Sequence, residues 1–224
     1  SGKTKLDILV TPIVTITAGG AVGVVLGPPL AEGMSALGHF INTVTTLHPF
    51  IMGILISVIM GMILTLPISS AALSIIIGLS GIAGGAATVG CCCQMVGFAV
   101  ASFRENKFQG LLAQGLGTSM LQVPNIVRHP QIWIPPTLAA AILGPVSTMV
   151  FKMVNNPSGS GMGTSGLVGQ FMTWQEMAGS MPPALLLGEI ALMHFILPAA
   201  LTLLISTVMR KWGWIHDGDM KLEL

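Results

Sequence analysis

Apolar residues dominate this chain in long runs, and the polar ones fall mostly in the gaps between them. Stretches 6–26, 50–66, 86–103, 133–151 and 184–208 are each apolar over lengths near the ~20 residues that cross a bilayer core. The first carries Ala18, Gly19, Gly20 and Gly23, small residues that permit close helix contact, and Gly27-Pro28-Pro29 is expected to end it. In 30–47, Leu30, Met34, Leu37, Ile41 and Val44 recur at spacings of three and four. Glu32 and His39 lie off that stripe, which predicts an amphipathic interfacial helix. The second span stops at Leu66-Pro67, and Ser69 and Ser70 open a new helical run towards Leu79. The glycine cluster at 78–90 is expected to interrupt the pattern, and Arg104-Glu105-Asn106-Lys107 forms a charged loop.

The stretch 108–136 departs most from this regularity. Its middle gathers Gln114, Thr118, Ser119, Gln122, Asn125, Arg128 and His129, and Pro124, Pro130, Pro135 and Pro136 break any single helix. Broken backbone at membrane depth is tolerated where it is buried in protein or lines a polar cavity. Together with 64–82, the segment 108–130 therefore reads as one of two candidate re-entrant hairpins. Discontinuous helices of that kind are the best sequence pointer to a transport site. A later stretch, 155–183, is rich in Gly, Ser, Asn and Pro. Leu167, Val168, Phe171, Met172 and Trp174 in its second half favour a half-buried irregular segment over a tether.

Composition sharpens the class. Of 224 residues 52% are hydrophobic and 8% charged, with a mean hydropathy of +0.84. Soluble domains carry about 25% charged residues, so the expectation is an all-α integral membrane protein with several spans, embedded in a lipid bilayer. A net charge of +1 gives no sign of a nucleic-acid partner. The first apolar run is too long for a cleavable signal peptide and is followed by others. Basic residues near both ends would put both on the cytoplasmic side, whereas five spans would put them on opposite sides. Cys91, Cys92 and Cys93 are consecutive in an apolar run, without metal-ligand spacing, and read as packing residues.

Thr118, Ser119, Gln122 and Asn125, with Gln114, are neutral donors and acceptors suited to a polyhydroxyl ligand. Ser69 and Ser70 divide between helix cap and site, and Gln94 is a polar residue inside a span that could face the cavity. His129 and Arg128 mark either the site or the return of the hairpin to the interface. Glu189 lies near the start of the last span. His194 lies deeper, where an ionisable side chain needs a polar partner or a proton-linked role. No nucleophile, general base or metal cluster stands out, so no bond chemistry and no cofactor are expected of this chain.

In order and content the elements resemble the membrane (IIC) component of the phosphoenolpyruvate-dependent sugar phosphotransferase system, and most nearly its divergent perfringolysin-regulator-like branch. The resemblance rests on the glycine-containing span ending in Gly27-Pro28-Pro29, the amphipathic helix, the second span, and the element Thr65-Leu66-Pro67-Ile68-Ser69-Ser70-Ala71-Ala72. Further on, His129-Pro130-Gln131-Ile132-Trp133-Ile134-Pro135 keeps the family's proline spacing. It runs over nearly the whole chain, taken as a single domain 1–224. Family members have more spans, and against them this chain resembles the sugar-site half without much of the preceding scaffold, as in a truncated protein.

The resemblance implies a permease that binds a sugar or another small hydroxylated solute between its hairpins and moves it across the membrane. Separate IIB and IIA proteins would carry out any phosphorylation, and the family's scaffold half makes homodimers. The departures bear on the site. The family's hairpin glutamate has Thr118 or Val123 in its place, depending on the anchoring proline, and Ile63 and Ser69-Ser70 replace an aspartate and an Asn-Lys pair. A membrane-embedded ligand sensor on the same scaffold, without net transport, is the alternative. A channel fits less well, since no ring of charged or carbonyl-rich repeats is visible.

Overall fold

A computed structural model describes residues 7–45 and 47–222, and its named elements are helical throughout. It falls into two compact units, 1–40 and 41–224. The first consists of most of α1 (Asp7–Thr45). Gly27-Pro28-Pro29 bends this helix rather than ending it: Val14–Val25 and Gly27–Thr45 meet at 50°. Proline removes one backbone donor and crowds the preceding turn, which is enough to kink a helix whose other hydrogen bonds survive. The interfacial helix expected over 30–47 is thus the second arm of α1.

The second unit is built round α4 (Gly81–Ala101), whose residues are buried almost without exception. Around it pack α2 (Pro49–Thr65), α7 (Ile134–Pro145) and the final α11 (Leu197–Lys211). Helix α4 begins at Gly81, so the glycine cluster does not interrupt the span as expected; it forms the first half of it. These glycines are where neighbouring backbones touch the helix. A Cβ on Gly90 would lie 1.9 Å from the Ser57 carbonyl oxygen of α2, and one on Gly85 would lie 2.0 Å from that of Met153. Small residues at helix contacts supply the van der Waals packing that replaces the hydrophobic effect inside lipid.

Among the described residues, three helical stretches are long and apolar enough to cross a membrane: Gly81–Ala101, Pro130–Phe151 and Pro183–Lys211. Helix α2 is apolar but has only 17 residues, and the bent α1 would make a fourth span if its arms cross together. The Pro183–Lys211 stretch joins α10 (Pro183–Ala191) to α11 through a widened π-type turn at Leu192–Ile196 that contains His194. Such turns insert an extra residue into the helix and re-aim side chains. His194 is fully buried there, its Nδ1 3.1 Å from Gln170 Nε2. The three cysteines are unpaired and wholly buried.

Cross-links define the two ends of this unit. At one, Asn155 N donates to Gly81 O at 3.2 Å and Thr148 Oγ1 donates to Pro49 O at 2.9 Å. At the other, Arg210 donates to Ala101 O at 3.3 Å and pairs with Glu105 at 2.7 Å. The charged stretch 104–107 is not a plain loop. It belongs to α5 (Phe103–Leu112), broken where Lys107 takes φ +52°.

Candidate functional site

Each proline in 108–136 sits where helical geometry tolerates it. After α5 the chain widens into a π-type turn at Ala113–Gly117 and tightens into a 3₁₀ turn at Ser119–Gln122. It then forms α6 (Val123–Arg128), with Pro124 in its first turn, and a 3₁₀ turn at Pro130–Trp133 that opens on Pro130. Pro135 and Pro136 follow in the first turn of α7. A proline there gives up an N–H that had no intrahelical acceptor, so the four prolines punctuate the segment into short turns.

A cavity of about 470 Å³ lies where this segment meets the break after α2. Leu66, Pro67, Ser69 and Ser70 line it from one side, Gly117, Thr118 and Met120 from another, and Gly161, Met162 and Ser165 from the Gly-rich stretch. Ser69 caps α3 (Ser70–Ile76), its Oγ accepting from Ala72 N at 3.2 Å, and Thr118 caps the next turn, accepting from Met120 N at 3.1 Å. As acceptors in those bonds, both hydroxyls keep their hydrogens to donate. Ser70 Oγ donates to Gly161 O at 2.7 Å and so ties α3 to the Gly-rich stretch.

Ser119 and Gln94 stand behind this wall. Thr65, between cavity-lining Leu64 and Leu66, has its hydroxyl 2.9 Å from Ser119 Oγ and 3.3 Å from Gln94 Oε1. Gln94 Oε1 also accepts from Trp133 Nε1 at 3.0 Å, and its Nε2 donates to Thr137 at 3.1 Å. This buried network pins the end of α2, the middle of α4 and both ends of 119–137 together.

Gln122 and Asn125 turn the other way. Gln122 is wholly buried; its Nε2 donates to Gln114 Oε1 at 2.9 Å and to Met220 O at 3.0 Å. Asn125 Nδ2 donates to Gln122 Oε1 and to Lys221 O, both at 2.9 Å. His129 and Asn125 line a second cleft of about 610 Å³ beside Arg128 and Lys221, and Met120 borders both spaces. The eight residues singled out from the sequence therefore divide: Ser69, Ser70 and Thr118 on the first cavity, Ser119 and Gln94 behind it, Asn125 and His129 on the second cleft, Gln122 between. Thr65, Met162 and Ser165 escaped the sequence reading. In the sequence, Met162 and Ser165 stand out only as members of the stretch 155–183, expected to be irregular and half-buried.

Compared with families of known proteins, residues 1–222 match the family described as phosphotransferase system, EIIC. The chain belongs to that family. Membership makes this EIIC chain a membrane protein with a permease-type role in the phosphotransferase system. No curated protein and no solved structure matches it. Among the described residues of this EIIC chain, no group of three or more His, Cys, Asp or Glu could hold a metal ion.

Proposed function

We propose that this chain binds a small polyhydroxyl solute, a sugar or a close relative, in the cavity shared by 64–71, 117–120 and 161–165, and carries it across the membrane. The two proline-broken segments act as re-entrant hairpins in this reading. The observation that carries it is their convergence. Segments some fifty residues apart meet on one cavity and present Ser69 and Thr118, each with a hydroxyl hydrogen to give. Neutral hydroxyls and backbone carbonyls can match a sugar's alternating donors and acceptors without a charged group. The absence of the family's hairpin glutamate is consistent with such a neutral site. Phosphorylation, where it accompanies transport, falls to separate IIB and IIA partners.

Uptake of labelled sugars into vesicles holding the purified protein, with and without those partners, tests the proposal. Accumulation that Thr118→Val slows supports it. Binding with no uptake under either condition would instead make the chain a ligand sensor on the same scaffold.

A further inference from the structure

The cleft on the far side of Met120 has a different chemistry from the hydroxyl-lined cavity. Arg128, His129 and Lys221 face it, with Asn125 among them. Neither Arg128 nor Lys221 forms an ion pair among the described residues. Beside His129, the Asp219 carboxylate is 8% exposed and already engaged. Its Oδ2 accepts from His216 N at 2.8 Å, and its Oδ1 lies 3.7 Å from His129 Nδ1. Among the described residues, positive charge is left over in this concave space.

One wall of the cleft is α6; the other is the strap 218–222, and the strap is stapled down. Asn125 holds Lys221 O, and Gln122 and Asn106 both donate to Met220 O, Asn106 at 2.8 Å. Leu222 N returns a bond to Asn106 Oδ1 at 2.8 Å. The Met220 side chain is fully buried against Phe98, Ile126 and Ile132. The strap is therefore fixed before any ligand arrives, so ordering it does not weaken binding. A general bias of basic residues to one membrane face explains why lysines and arginines are here. It does not explain why one of them rides on a stapled strap facing a cleft.

We propose that this cleft binds a phosphate-bearing anion, supplied by a soluble phosphomonoester or by the headgroup of an anionic lipid. The Arg128 guanidinium would bind two phosphate oxygens at once, and the Lys221 ammonium would add a point charge. Met120, Leu121 and Pro124 offer an apolar wall to the carbon skeleton. The site is independent of the solute reading of the neighbouring cavity.

The test uses the whole chain in nanodiscs. In phosphatidylcholine discs, glycerol 3-phosphate is titrated, with glycerol as the control. In discs that also contain phosphatidylglycerol, native mass spectrometry counts the anionic lipid retained. The double variant R128Q/K221Q should bind roughly tenfold more weakly or lose the retained lipid, because the charge-assisted contacts are gone. K211Q, which removes a basic residue of the same end outside the cleft, should behave as the parent. Binding of glycerol 3-phosphate points to the soluble source, and retention of phosphatidylglycerol alone points to the lipid. Equal binding of both probes by parent and double variant, or binding of neither by the parent, overturns the proposal.

Discussion

Gly90 shows how little room the packing leaves at the scale of one residue. A methyl group there meets the Ser57 backbone at 1.9 Å, and backbone cannot swing aside as a side chain can. Gly90→Ala should lower stability by about 1–3 kcal/mol, the usual cost of overpacking, and a depressed midpoint of thermal unfolding in detergent would register it. Gly188, within α10, has nothing within 4 Å of the same position. Gly188→Ala should be neutral or gain up to about 1 kcal/mol from helix propensity alone. Gln94→Leu tests the network behind the cavity, because it strips the acceptor from Trp133 and Thr65 and the donor from Thr137. Buried polar contacts in membranes are worth about 0.6 kcal/mol each on average, so a loss of about 1–2 kcal/mol is expected in the same melt.

At the scale of elements, the breaks matter more than the helices. Thr118 both caps the 119–122 turn and faces the cavity. Thr118→Ser keeps both functions and should bind solute like the parent. Thr118→Val forfeits one hydrogen bond, about 0.5–1.5 kcal/mol, which appears as a roughly two- to tenfold weaker Kd. The prolines made the broken segment legible in the sequence, because their chemistry forbids an unbroken helix wherever they fall. The glycines at 78–90 mislead, because locally they signal a break. A glycine weakens an isolated helix, yet in α4 it admits the Ser57 and Met153 backbones, and that contact lies far away in sequence. The Gly27-Pro28-Pro29 bend is the converse case: a strong local stop signal that the remaining hydrogen bonds of α1 override. Gln122 and Asn125 show a further limit. Side-chain amides suited to a sugar are equally suited to a peptide carbonyl, and here they hold Met220 and Lys221. Nothing local to residues 122–125 names a partner a hundred positions on.

At the scale of the molecule, the membrane class was legible in composition alone, and the order of elements carried the family. The convergence of 64–71, 117–120 and 161–165 was only partly so, since sequence spacing does not say which loops meet. The cross-linked ends of the second unit set an expected orientation. Arg104, Lys107, Arg128, Arg210, Lys211 and Lys221 gather at the end where Arg210 meets Ala101, while Lys152 lies at the end where Asn155 meets Gly81. By the positive-inside bias the first end is expected on the cytoplasmic side. A cysteine at exposed Asp217 should react with a membrane-impermeant maleimide from the cytoplasmic side only, and one at exposed Ser158 from the other side only. The native cysteines, fully buried, should stay silent.

Whether the two broken segments share one solute site can be read from an experimental structure of the protein soaked with a panel of sugars. Ligand density is expected within hydrogen-bond reach of Ser69 and Thr118, against Gly161 and Ser165. Density for a sugar elsewhere in the protein, touching none of these residues, would contradict it.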